Sequence, residues 1–160
     1  MSSKVYFILA AVLVGFYFMM TYTPMLSEEE IMANKQASET FLEGNKLQSG
    51  VMTTESGLQY RILQSGNGER NPKVSDNVTV HYVGSLVNGT VFDSSVERGK
   101  PISFGLDRVI TGWKEGLPLM VEGDKMRFYI PADLAYGEKW AGDIPPFSAL
   151  IFDIELLKIN

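Results

Sequence analysis

Short apolar–polar alternations recur from Leu58 to the carboxy terminus, and they leave few folds open. Leu58, Tyr60 and Ile62 alternate with Gln59 and Arg61, and Val78, Val80 and Tyr82 alternate with Thr79, His81 and Val83. Met126, Phe128 and Ile130 repeat the pattern, and Leu150 to Leu157 forms a final run. A period of two over such lengths predicts strands, not helices. Ser65-Gly66-Asn67-Gly68 punctuates them as a turn, and Asn88-Gly89 predicts a tight hairpin with a return strand over Thr90 to Asp93. Ile102 to Phe104 predicts one more short strand. The one helical stretch among them is Val109-Ile110-Thr111-Gly112-Trp113-Lys114-Glu115-Gly116-Leu117, which Pro118 should end early because it has no N–H to donate. The expected fold is α+β, a twisted antiparallel sheet wrapped around one short helix.

Residues 51–160 form this predicted domain, and two segments precede it. From Val5 to Leu26 no residue carries a formal charge, and Val5 to Met20 is almost wholly apolar. A membrane-spanning helix needs about 20 such residues. Residues 1–26 are therefore expected to be a single transmembrane anchor, with a cleaved signal peptide as the alternative. Lys4 precedes the stretch, which places the amino terminus in the cytoplasm under the positive-inside rule. The expected location is the inner membrane, with the domain facing the periplasm or exterior; cleavage would make it a soluble periplasmic protein. Ser27-Glu28-Glu29-Glu30 reads as a capping box. The helix it starts, over residues 27–50, has only a ragged apolar stripe (Ile31, Met32, Ala37, Phe41, Leu42, Leu47), so a stalk or linker is expected there.

Composition removes several classes of chemistry. There is no cysteine and a single histidine, so neither a thiolate centre nor a histidine-cluster metal site can be assembled. Net charge is −5, and with Lys4 the only charge in residues 1–26 the remainder carries −6. So acidic a chain is a poor partner for nucleic acid. His81 alternates with Tyr82 and should face the other side of its strand, as a structural group.

Trp113, after a Val-Ile pair and a glycine, can be the core side of a short helix or the floor of a pocket walled by Val109 and Ile110. Motifs elsewhere bear on that choice. Val80-His81-Tyr82-Val83-Gly84, Gly89-Thr90-Val91-Phe92-Asp93-Ser94-Ser95, Val109-Ile110-x-Gly112-Trp113, Ala135-Tyr136-Gly137, Ile144-Pro145-Pro146 and Leu150-x-Phe152-Asp153-x-Glu155-Leu156-Leu157 follow one another in a single order. Over about residues 57 to 160 the chain thereby resembles the FKBP-type peptidyl-prolyl cis-trans isomerases. Phe41 to Tyr60 is similar to the Mip/FkpA-like bacterial branch, in which a long helix joins a dimerising module to the isomerase domain. Here a membrane segment is expected in place of that module, and no dimer is carried over.

The resemblance implies an isomerase of X-Pro bonds that assists folding of exported or envelope proteins, needing no metal and no cofactor. It implies a prolyl pocket lined by Tyr82, Phe92, Val109, Ile110, Trp113, Tyr136, Ile144 and Phe152, with Trp113 at its floor and Ile144 in a flap at the rim. The Ile110 N–H and the Tyr136 hydroxyl would hold substrate carbonyls, and Asp93, oriented by Tyr82, would act electrostatically on the twisted amide. Asp93, Tyr136 and Tyr82 are the implied catalytic residues. Proline-containing polypeptides are the expected partners, with macrolides of the tacrolimus or rapamycin type as possible inhibitors. The sequence departs from better-known members at Ile102, where they carry an aromatic, and in a short flap from Glu138 to Asp143 that holds Trp140. A chaperone-like binding module with little turnover, using the same pocket, is the alternative reading. A third is a structural subunit that docks a membrane partner through residues 5–48.

Overall fold

The structure, a computed structural model, describes residues 26–160. The expected anchor or signal peptide lies outside these residues apart from its last position. Among the described residues no helix is long and apolar enough to cross a membrane.

Among the described residues seven strands make one antiparallel sheet: β1 (Met52–Thr53), β2 (Gln59–Gln64), β3 (Asn77–Leu86), β4 (Val91–Ser94), β5 (Ile102–Gly105), β6 (Lys125–Ile130) and β7 (Leu150–Ile159). Their spatial order is β1-β2-β6-β7-β3-β4, with β5 also paired to β3. The two longest strands, β3 and β7, lie side by side at its centre, with Tyr82 opposite Ile154 and Gly84 opposite Phe152. Alternation decides what each face carries. Val78, Val80 and Tyr82 of β3 and Leu150, Phe152, Ile154 and Leu156 of β7 are buried, while the residues that alternate between them are only partly covered. Strand β1 has no alternation to announce it and lies in the largely polar stretch from Met52 to Gly57.

The short helix α2 (Thr111–Gly116) packs on the buried face through its glycines. A Cβ on Gly112 would stand 2.5 Å from Ile130, and one on Gly116 would stand 2.7 Å from the Phe128 ring. Two glycines one turn apart therefore let the helix backbone lie directly against β6 and turn Trp113 toward the sheet's other side chains. Pro118 acts as expected: α2 stops at Gly116 and passes into a 3-10 turn at Leu117–Leu119.

The helix α1 (Glu28–Asn45) opens on the predicted capping box. The Ser27 N–H donates to Glu30 Oε2 at 2.8 Å, and the Glu30 N–H donates to Ser27 Oγ at 3.2 Å. Its later turns are docked, unlike a free stalk. The buried Ser38 hydroxyl accepts the Ala149 N–H at 3.0 Å. The side-chain amide of Gln59, itself buried, donates to the Leu42 carbonyl at 2.9 Å and accepts from Asn45 at 2.8 Å. Phe41 stacks obliquely on Tyr129, with ring centres 6.0 Å apart. Polar side chains carry much of this contact, so hydrophobic periodicity underestimates it.

Candidate active site

The open end of the domain holds a cavity of about 570 Å³. Trp113 forms its floor, buried among aromatic rings contributed by separate strands. Tyr82 from β3 meets the indole edge-on at 5.4 Å, Phe152 from β7 does so at 5.1 Å, and Phe104 from β5 lies 5.4 Å away, tilted. Phe92 from β4 stacks edge-to-face on Phe152 at 5.5 Å. Perpendicular pairing of this kind is the favourable arrangement of ring quadrupoles. It also fixes the width of the box. Gly84 permits it: a Cβ there would come within 2.6 Å of Phe152 and 2.7 Å of Phe92.

Val109 and Ile110 wall the cavity just before α2. The Ile110 carbonyl is used at the start of the helix, accepting the N–H groups of Trp113 and Lys114 at 3.0 and 3.1 Å. The Trp113 indole N–H is buried and has no acceptor among the described residues. On the opposite side the chain from Pro131 to Ser148 forms a flap. Ala141 and Ile144 bridge it with two backbone hydrogen bonds of 3.0 and 3.1 Å, and Ile144 is buried at the cavity rim. Tyr136, at the flap's near end, is half exposed and lines the mouth.

Three polar groups make one constellation beside this apolar box. The Tyr82 hydroxyl donates to Asp93 Oδ2, Arg98 Nη1 donates to Asp93 Oδ1, and Arg98 Nη2 donates to the Tyr82 hydroxyl at 3.0 Å. The Arg98 guanidinium also lies 5.8 Å from the centre of the Tyr82 ring, within cation–π range. Asp93 lies near the end of β4 and Arg98 five residues further on, so the turn between them folds the guanidinium back onto the carboxylate.

A family profile described as "FKBP-type peptidyl-prolyl cis-trans isomerase" matches residues 68–157, more than half of the chain. The chain belongs to this family. A second profile, "Domain amino terminal to FKBP-type peptidyl-prolyl isomerase", matches residues 16–62. The chain is 47% identical over 138 residues to the FKBP-type peptidyl-prolyl cis-trans isomerase FkpA of Aeromonas hydrophila, covering 86% of this chain and 51% of that one. It is 46% identical over 128 residues to a Legionella longbeachae protein named outer membrane protein MIP, covering 79% of this chain and 54% of that one. The crystal structure of FkpA from Escherichia coli superposes with a TM-score of 0.79 at 42% identity, over 83% of this chain and 62% of that one. These names support the Mip/FkpA branch. The chain spans about half the length of the curated relatives it matches.

In this FKBP the structure brings Tyr82, Phe92, Asp93, Val109, Ile110, Trp113, Tyr136, Ile144 and Phe152 together around one cavity. Ile102 lies in its wall as an aliphatic residue. His81 turns away from it, with Nδ1 at 2.9 Å from the buried Ser95 hydroxyl, which also accepts the Tyr82 N–H at 2.8 Å. Sequence reasoning did not single out Phe104, Arg98, or the rim residues Arg108 and Asp143. Phe104 was legible in principle, two residues after Ile102 on the same strand face. Arg98 was not, because its place depends on a turn.

Electrostatics follow from these contacts. Burial works to raise the Asp93 carboxyl, but hydrogen bonds from Tyr82 and Arg98, with the charge of Arg98, hold it below the ordinary aspartate range. Burial and the carboxylate beside it push the Tyr82 phenol up. The site therefore presents an anionic Asp93 and a neutral Tyr82 at neutral pH. Phe147, in the flap, is the one described non-glycine residue with positive φ, at 61°. Such backbone costs about 1–2 kcal/mol and persists only where its surroundings hold it.

Proposed function

We propose that this chain is a peptidyl-prolyl cis-trans isomerase that accelerates rotation about X-Pro bonds and assists folding of exported or envelope proteins. The observation that carries the reading is the aromatic box over Trp113 with an anionic, doubly hydrogen-bonded Asp93 at its edge. Rotation about an X-Pro bond must overcome amide resonance, a barrier of ~18–20 kcal/mol in ordinary peptides. No bond to carbon is made or broken, so no nucleophile is required. A twisted amide has less charge separation than a planar one, so a water-excluding apolar box favours the twisted form over the ground state.

Phe92, Val109, Ile110, Trp113, Ile144 and Phe152 take the prolyl ring and its neighbours in this reading. The Ile110 N–H and Tyr136 hydroxyl receive substrate carbonyls, and Asp93, steadied by Tyr82, acts on the charge that shifts as the amide turns. The test is exchange spectroscopy on a short Ala-Pro peptide with the full chain and with Trp113→Ala. The reading predicts accelerated exchange that the variant loses together with peptide binding. Equal exchange by the two folded proteins would sink it.

Residues 5–26 serve as a single inner-membrane span with the domain outside the cytoplasm, supported by the charge-free stretch after Lys4. Protease added to intact spheroplasts should then cleave the domain, whereas a cytoplasmic domain would be protected. The same box is suited to macrolides of the tacrolimus or rapamycin type, with Ile102 giving a less aromatic wall. Titration monitored by tryptophan fluorescence, with Trp140→Phe to isolate Trp113, tests that fit.

A further inference from the structure

The flap that closes one side of the cavity contains Pro145 and Pro146, which have no N–H to give to a strand ladder. Their carbonyls are held instead. Ser148 Oγ donates to the Pro145 carbonyl at 2.8 Å, and Asn34 Nδ2 of α1 donates to the Pro146 carbonyl at 2.7 Å and to Ser148 Oγ at 3.0 Å. One turn further along α1, the buried Ser38 hydroxyl accepts the Ala149 N–H at 3.0 Å. Between them, Lys35 Nζ stands 5.0 Å over the Phe147 ring. Phe147 keeps its left-handed backbone there and donates its N–H to the Gly137 carbonyl at 2.8 Å, tying the far end of the flap to the Tyr136 turn. Three residues on one side of α1 thus grip four consecutive residues, Pro146 to Ala149, one proline beyond Ile144, and Ile144 and Tyr136 both line the cavity.

We propose that α1 is a brace for the substrate-binding flap and that Asn34 is a positioning residue for prolyl substrates, acting through Pro146 and Ser148. This rests on the isomerase reading for its effect on turnover, but the brace itself is a structural claim with its own readout. The physical reason is that two consecutive prolines, with no N–H to donate, leave this part of the flap free to sample open arrangements unless its carbonyls are pinned from outside the sheet. In this chain the pin comes from the helix ahead of the domain. A change that bends α1 is thereby transmitted to the cavity rim.

The test uses the full chain with Asn34→Ala and with Asn34→Asp, which keeps the size of the side chain but lacks its donor. Two things are measured: kcat and KM on an X-Pro tetrapeptide, and the indole N–H signals in protein labelled with 15N only at tryptophan. There are two tryptophans, Trp113 in the floor and Trp140 in the flap. Both variants remove two donated hydrogen bonds and should raise KM by at least the roughly 3- to 10-fold that one neutral hydrogen bond is worth, with kcat within about twofold. The Trp140 signal should shift or broaden while the Trp113 signal stays in place. Unchanged KM and an unmoved Trp140 in a folded variant overturn the brace. So does equal movement of both signals with a lowered Tm, which would mean a general loss of packing. A wild type that does not catalyse exchange sinks the isomerase reading instead, and the brace is then decided by Trp140 alone.

Discussion

Gly116→Ala tests the packing that sets the cavity floor. In a helix this exchange ordinarily stabilises by roughly 0.5–1 kcal/mol, because glycine loses more backbone freedom on folding. Here the new methyl would lie 2.7 Å from Phe128 Cε1 and 2.9 Å from Cδ1. Favourable carbon contact needs about 3.5–4.0 Å, so the ring must retreat by about 0.8 Å. Phe128 is 1% exposed and stands directly opposite Phe152 across β6 and β7, on the same face of the sheet. Overpacking of this kind costs about 1–3 kcal/mol. The net expectation is a loss of roughly 0.5–2 kcal/mol in urea unfolding, with KM raised because Phe152 is pushed toward the cavity. Gly44→Ala in α1 is the internal control. A Cβ there meets nothing within 4 Å, so it should stabilise by roughly 0.5–1 kcal/mol. Gly116→Ala as stable as the wild type, or more so, would refute the claim that α2 lies on the sheet through its glycines.

Asp93 has a lowered carboxyl value, so its ionised form is fully stabilising above the ordinary aspartate value of 3.8 and is lost only as pH falls through the lower native value. Isomerase activity should therefore stay level from about pH 8 to about pH 4 before its acid limb. Arg98→Ala removes one hydrogen bond and the neighbouring positive charge, leaving the Tyr82 hydrogen bond as the main side-chain contact opposing burial, and the acid limb should move to higher pH; an unmoved limb would separate Asp93 from the activity. Glu115, on α2, accepts hydrogen bonds from Ser56 Oγ at 2.6 Å and Thr54 Oγ1 at 2.5 Å. Glu115→Ala should lower unfolding free energy by about 1 kcal/mol in urea melts, and no change would show that this tie contributes nothing.

Much of the domain can be read directly from the chain. Strands β3 and β6 form where alternation predicts them, because the alternating set of each is buried and a shift of one residue would expose it. The cavity residues were reachable only through the family resemblance that the order of the motifs carries. Other features were out of reach for local pattern reading. The docking of α1 relies on Asn34, Ser38 and Asn45, polar residues that a search for apolar stripes passes over. The left-handed Phe147 has no glycine to mark it. Arg98 reaches Asp93 only because a turn closes between them, and the two-residue β1 exists only by pairing Met52 with Tyr60 and Thr53 with Gln59.

The central claim is that the box over Trp113 and the carboxylate of Asp93 act together on an X-Pro bond. Its most direct measurement is cis/trans exchange in a short proline peptide, with the full chain and with Asp93→Leu, a change at a partly exposed position outside the aromatic floor. The account predicts clear acceleration by the wild type and loss of most of it in a variant that still folds and still binds the peptide. A folded wild type that binds the peptide without accelerating its exchange would contradict it, and the cavity would then be a binding site alone.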